Sequence, residues 1–216
     1  NLDRLQQLTG VRFAYDANNR LRFTVDALGS VSESVYDPAG QLVSSVRYAT
    51  RPMLTAFTES AINAALDRAD TSNQVSHYAY DAAGRRRYGV LVLASDATGK
   101  PTQQLVSEQA YDSLGRVVQT IAYATLLGSV ADYKAATLAS AITAGAQDRR
   151  SACVYDAAGR KVYSVQVQIA GSQNIVSKRE FDAQDRLAES TSYAKTMALA
   201  DFGKATLDSV TTTNAS

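Results

Sequence analysis

The sequence predicts a mainly β fold with inserted short helices, built as a run of antiparallel β-hairpin repeats. Three observations predict it. A hexapeptide opening on Tyr-Asp or Phe-Asp recurs six times. The residues around each copy alternate apolar and polar with a period of two, as a half-buried strand does. Three further segments carry apolar residues at helical spacing.

The copies are YDANNR from Tyr15, YDPAGQ from Tyr36, YDAAGR from Tyr80, YDSLGR from Tyr111, YDAAGR from Tyr155 and FDAQDR from Phe181. Their successive spacings are 21, 44, 31, 44 and 26 residues, so short and long gaps alternate and the copies fall into two types. Copies of the first type have an aromatic eight residues on, at Phe23, Tyr88 and Tyr163, and then a small polar turn (DALGS, SDATGK, AGSQN). Copies of the second type have Tyr-Ala twelve residues on, at Tyr48-Ala49, Tyr123-Ala124 and Tyr193-Ala194. One copy of each type plus a trailing segment makes a unit. Three units fill a single repeat array over 1–216, at about 11–74, 75–150 and 151–216.

Within the hexapeptide, Asp suits the first position of a type I turn, where its side chain accepts from backbone two residues on. Gly suits the fourth, where the chain takes a left-handed conformation. Asp16, Asp37, Asp81, Asp112, Asp156 and Asp182 fill the first role, and Gly40, Gly84, Gly115 and Gly159 the second. Asn19 and Asp185 replace the glycine in the other two copies. They are the non-glycine types that best tolerate positive φ. D-x-x-G therefore reads as a tight hairpin reversal with a bulge, and Pro38 sits where a type I turn accepts proline. The flanks supply the strands: Val11, Phe13 and Tyr15 share one face, as do Tyr88, Val90 and Val92, with Leu91 and Leu93 on the other. The tyrosine before each turn is expected to pack on a neighbouring strand. The helical segments are MLTAFTESAINAALDRA (53–69), SVADYKAATLASAITAG (129–145) and ADFGKATLDSV (200–210).

Composition bounds the function. Lys plus Arg is 22 against 21 Asp plus Glu, a net charge of +1. This lacks the basic excess of a nucleic-acid binder and any basic run suited to an anionic membrane. No apolar stretch is long enough to span a bilayer. The chain opens on NLDRLQQLTG without Met or a leader and reads as a piece of a larger protein. One cysteine, Cys153, excludes an internal disulfide.

Candidate chemistry is thin. His77 is the only histidine and falls on a strand face, so it reads as structural. A zinc site would need carboxylates or Cys153, and nothing has ligand spacing. Cys153 lies in SACVYD and reads as a small strand hydrophobe; a Cys–His nucleophile pair lacks an evident orienting third group. The motif aspartates could be imagined as a calcium ladder, but each has a turn to satisfy. An arginine also follows four residues later in five copies (Arg20, Arg85, Arg116, Arg160, Arg186). Ten of twelve tyrosines are explained by the repeat, which weakens a sugar-stacking reading. We expect no enzyme, no metal and no cofactor.

Y-D-x-x-G-R repeated between alternating strands resembles the YD repeats, or RHS repeats, of bacterial Rhs and wall-associated proteins, of insecticidal toxin complex B and C components, and of teneurins. The motif-carrying positions are Tyr15, Asp16, Tyr36, Asp37, Gly40, Tyr80, Asp81, Gly84, Arg85, Tyr111, Asp112, Gly115, Arg116, Tyr155, Asp156, Gly159, Arg160, Phe181, Asp182 and Arg186. The resemblance implies a sheet spiralling into a shell or tube in a secreted or cell-surface protein. The shell would enclose or display another region, such as a C-terminal toxin. The alternative it implies is an adhesion module binding a surface partner or glycan. Its partners would be neighbouring repeats of the parent chain, with no nucleic acid and no membrane span. DPAGQ at 37–41 matches only the start of the family's self-cleaving site and lies inside an ordinary repeat, so cleavage does not carry over.

Overall fold

In a computed structural model, residues 10–167, 174–193 and 203–213 are described. Among these residues twelve strands follow one another in sequence order within one sheet. They are β1 (Arg12–Tyr15), β2 (Leu21–Val25), β3 (Val31–Tyr36), β4 (Leu42–Arg47), β5 (Gln74–Tyr80), β6 (Arg86–Ser95), β7 (Pro101–Tyr111), β8 (Val117–Ala122), β9 (Arg149–Tyr155), β10 (Lys161–Val167), β11 (Asn174–Phe181) and β12 (Leu187–Ser192). They pair antiparallel from β1 through β6 and from β7 through β12. Three helices are inserted among the described residues: α1 (Glu59–Ala65), α2 (Ala135–Ala141) and α3 (Lys204–Thr213). The sequence-predicted class, mainly antiparallel β hairpins with short helices, is the fold observed.

The chain divides into two compact units, one within Asn1–Val106 and Leu126–Ala141, the other within Ser107–Thr125 and Ile142–Ser216. In the first, Ala14, Phe23, Val25, Val31 and Tyr48 are buried beneath Ile62 of α1. In the second, Ala152, Tyr163, Val165 and Val176 are buried beneath Leu207 of α3. The aromatic eight residues after each first-type motif is thus a core anchor: Phe23, Tyr88 and Tyr163 are all at most 2% exposed. Each buries enough apolar surface to contribute about 2 kcal/mol or more. On the edge strand β1, by contrast, Phe13 and Tyr15 stay about half exposed (52% and 50%) while Ala14 is the buried residue.

The helices are shorter than the sequence predicts, or shifted, and the reasons are local. Residues 53–58 are not helical: Thr58 is extended and its hydroxyl caps the Ala61 N–H at 3.3 Å, so the first turn starts at Glu59. Leu66 returns to an extended conformation at the other end. Leu54 and Phe57 still pack on the core, from irregular backbone. Before α2, the Asp132 carboxylate accepts the Lys134 N–H at 3.0 Å, a local turn that delays the helix to Ala135. The third helix begins at Lys204 and runs three residues past the expected end. Ala194, the stretch 168–173 and residues 200–202 lie outside the described residues.

Candidate functional site

The six motifs all close hairpins in one way. In each, the N–H three residues after the aspartate donates to the aspartate carbonyl, and the aspartate N–H donates to the carbonyl four residues on. Around Asp81, Oδ1 accepts the N–H groups of Ala83 and Arg85, both at 2.9 Å, and Oδ2 accepts Arg85 Nε at 2.8 Å. Asp16, Asp112 and Asp182 repeat that set, and Asp156 binds the N–H and Nε of Arg160 alike. Hydrogen bonds from Arg85, first from its side chain and then its backbone, hold the Asp81 carboxyl below the usual range. The fourth turn residue has positive φ throughout: 85° at Gly40, 77° at Gly84, 80° at Gly115, 82° at Gly159, 58° at Asn19 and 61° at Asp185. The register slips by one residue beside every motif, the bulge of a three-residue hairpin.

Two more turns have the same chemistry and were hidden among the small polar turns. Asp26 Oδ1 accepts from Leu28 and Ser30, and Asp96 Oδ1 from Thr98 and Lys100, with Gly29 and Gly99 at positive φ. Their D-x-x-G spelling was the available signal.

Successive hairpins are latched through the motif itself. The Tyr36, Tyr80 and Tyr155 hydroxyls donate to the Leu21, Leu42 and Val117 carbonyls at 3.1, 2.8 and 3.0 Å. Each acceptor is the first strand residue after the preceding turn. The arginine of that preceding turn covers the next aromatic ring: Arg20 over Tyr36 at 4.9 Å, Arg116 over Tyr155 at 4.5 Å and Arg160 over Phe181 at 4.9 Å. Arg20 also donates to the Asp37 carbonyl, and Arg160 pairs with Asp185 at 2.6 Å. In the one copy without arginine, Gln41 donates to the Gly84 carbonyl at 3.3 Å. Motif spacing shows hairpins but carries no signal of these inter-hairpin contacts.

A second set of polar contacts ties the inserts to the sheet. Glu33, 3% exposed, accepts Tyr48 Oη at 2.5 Å and pairs with Arg22 and Arg68 at 3.1 and 3.2 Å. Arg22 continues to Glu59 at the start of α1. Burial, then the hydrogen bond to Glu33, raises the Tyr48 phenol well above its ordinary value. Three residues before the second-type motif, Glu33 has Glu108 as its counterpart, which accepts from Tyr123. The third counterpart is Lys178, opposite Tyr163, whose hydroxyl donates to Asp208 of α3 at 2.6 Å. After each Tyr-Ala, a side chain just before the next strand receives the Ala N–H: Asn73 from Ala49 at 2.9 Å and Asp148 from Ala124 at 3.0 Å.

Cross-strand partners lie on one face of a sheet, so the register assigns the face opposite the helices. In the first unit it carries Ser34, Ser45, Ser76 and Leu91 as successive partners, beside a second row of Thr24, Ser32, Arg47 and Gln74. In the second unit, Cys153, Ser164, Ser177 and Ser192 form one row, and Thr120 and Ser151 with Gln166 another.

His77 lies on the helix-covered face, its ring stacked on Tyr133 at 3.6 Å and 13°. Burial pushes its pKa down to about 4 and pushes that of Tyr133 up to about 12. Tyr133 in turn donates to Gln104 at 2.6 Å. Cys153 is a free thiol in the serine row. Among the described residues, no three His, Cys, Asp or Glu side chains gather as a metal site would require. No described helix is long and apolar enough to cross a membrane.

No family model matches the chain, and no curated protein matches it. Among solved structures it is similar to the crystal structure of TcdB2-TccC3-Cdc42, at 14% identity and a TM-score of 0.38, over 86% of this chain and 9% of that one. It is similar to the crystal structure of TcdB2-TccC3 at 12% identity and a TM-score of 0.42, over 87% of this chain and 10% of that one. The crystal structure of TcdB2-TccC3-TEV matches at 14% identity and a TM-score of 0.24, over 87% and 12%. The chain thus spans about a tenth of the length of these solved chains.

Proposed function

We propose that this chain is a structural wall segment of a YD-repeat (RHS-repeat) protein. It forms part of a shell or tube that encapsulates or displays another region of the same protein. The observation that carries this reading is the division of labour between the two faces. Aromatic and aliphatic anchors are sealed under helices on one side, and rows of small hydroxyl side chains line the other. A lining rich in serine and threonine suits the inside of a container, because it wets readily and presents hydrogen-bonding groups to an enclosed chain. Every motif aspartate, arginine and positive-φ residue is committed to turns and latches, so the hexapeptide builds rather than reacts. On this reading the protein is not an enzyme and needs no cofactor. Its partners are neighbouring repeats and the enclosed region, and the parent protein is secreted or surface-exposed.

Electron microscopy of the intact parent protein tests this. The expected outcome is a closed or tubular hollow particle with density inside or held at its surface. A filled globular particle with no lumen would overturn the reading.

A further inference from the structure

The formal charge of the chain is nearly balanced, but its distribution over the sheet is not. Among the described strand residues, the carboxylates are Glu33, Glu108, Glu180 and Glu189, and all four lie on the helix-covered face. Glu33 is the partner of the core residue Phe23. Glu108 is the partner of Ile121, itself paired with Arg150, two residues before the buried Ala152. Glu180 and Glu189 are partners of each other, and Glu180 is four residues from the buried Val176. The opposite face carries no described strand carboxylate and several cations. In the first unit these are Arg47, partner of Ser32, and Arg86, partner of Tyr80. In the second they are Arg149, partner of Ala122, Lys161, partner of Tyr155, and Arg179, partner of Ser190. The same segregation arises independently in each unit.

Two of these cations, Arg47 and Arg149, line shallow grooves rich in hydroxyl and amide groups, the first of which also reaches Glu33. One groove of about 610 Å³ in the first unit is lined by Arg47 with Ser32, Ser34, Ser45, Gln74 and Ser76. Another of about 470 Å³ in the second unit is lined by Arg149 with Thr120, Ser151 and Gln166. Leu91 and Leu93, which also line the first groove, are 44% and 49% exposed, and Leu105 is 39% exposed on the next strand.

We propose that this serine-lined face docks an extended acidic polypeptide segment. Guanidinium and ammonium groups supply charge complementarity to Asp and Glu side chains, and the hydroxyls and amides can bond polypeptide backbone. The exposed leucines offer an extended chain apolar contact. A nucleic acid is favoured less, because single strands bind basic grooves through aromatic stacking platforms. Here Tyr78 is covered by Arg86 at 5.5 Å, and Tyr36, Tyr80 and Tyr155 are held by backbone carbonyls. The inference rests on the wall reading above and adds that the region facing the wall is acidic.

The test uses the full chain and a labelled oligo-glutamate peptide, with binding read by fluorescence anisotropy. Saturable binding is expected, lost at roughly 1 M salt, where the screening length is about 3 Å. Replacing Arg47→Gln with Arg86→Gln, or Arg149→Gln with Arg179→Gln, should weaken it by about tenfold, on the order of 1.4 kcal/mol. Lys100→Gln, in an exposed turn, should leave it unchanged. Circular dichroism melts of each variant keep a folding defect separate from a binding defect. Absence of binding, equal affinity in the face variants, or tighter binding of a labelled oligothymidylate would each overturn the inference. If glutamate binds as expected but the parent has no lumen, the wall reading fails alone. If the parent is hollow but glutamate does not bind, this inference fails alone.

Discussion

At the scale of single residues, the hexapeptide is a set of fixed roles. The fourth turn position needs positive φ, and at Gly84 an added Cβ would also stand 3.1 Å from Gln41 Nε2. Gly84→Val is therefore expected to destabilise the protein by about 1–3 kcal/mol, measured as a drop in the urea midpoint. Asn19→Gly, at φ 58°, should be near neutral, because glycine accepts that conformation without strain. An unchanged midpoint for Gly84→Val would refute the turn assignment. Glu33 makes the contrasting case of a buried charge that is fully paired. Glu33→Ala would leave Arg22 and Arg68 facing each other without their shared carboxylate, at a cost of roughly 3 kcal/mol. His77 makes a pH prediction. Its folded pKa of about 4 lies below the unfolded value of about 6.5. Between those values the unfolded chain binds the extra proton, so stability is complete above about pH 6.5 and falls as the pH drops toward 4. Denaturation midpoints of His77→Phe should lose that slope while keeping a ring against Tyr133. If the mutant keeps the full slope between those values, the slope does not come from His77.

At the scale of elements, hairpins were legible in the sequence because each is closed by a local rule. D-x-x-G fixes the turn within five residues, and Asn19 and Asp185 show the rule working without glycine. Helix ends were not legible, since apolar spacing at 53–57 looks helical although Leu54 and Phe57 reach the core from irregular backbone. Apolar spacing carries no signal of the Thr58 cap, which sets the start of α1. Least visible were contacts between distant parts of the chain, such as Arg22 to Glu59 or Tyr163 to Asp208. These long-range contacts also give each insert a different polar key. α1 is tied through Arg22 to a sheet position occupied by Glu33, whereas α3 brings Asp208 within electrostatic reach of a sheet position occupied by Lys178. Near-identical hairpins risk docking the wrong insert, and differing charges oppose that. Lys178→Glu restores the residue type found at the other two positions, yet it should loosen α3 by on the order of 1 kcal/mol. Hydrogen exchange across Lys204–Thr213 would report it. Lys178→Glu combined with Asp208→Lys should recover protection, and a single mutant as protected as the parent would show that the keys are interchangeable.

At the scale of the whole molecule, strands pair with their sequence neighbours along the entire order. Stability in such an array is a sum of terms from each repeat and each interface, so cooperativity depends on the interfaces. The arginine-over-aromatic latch is one such interface, and its contribution can be isolated. Arg116 bonds Asp112 within its own turn at 2.7 Å and covers Tyr155 of a later hairpin at 4.5 Å. Among the described residues Arg186 bonds Asp182 within its turn in the same way but covers no ring. Arg116→Leu removes both the turn bond and the latch, whereas Arg186→Leu removes the turn bond alone. Both variants should lower the urea midpoint modestly. Only Arg116→Leu should also lower the slope of unfolding free energy against urea, because hairpins released from one another unfold over a wider range and each step exposes less surface. Equal slopes for the two variants would mean that backbone pairing alone couples the repeats and that the latch contributes only local stability.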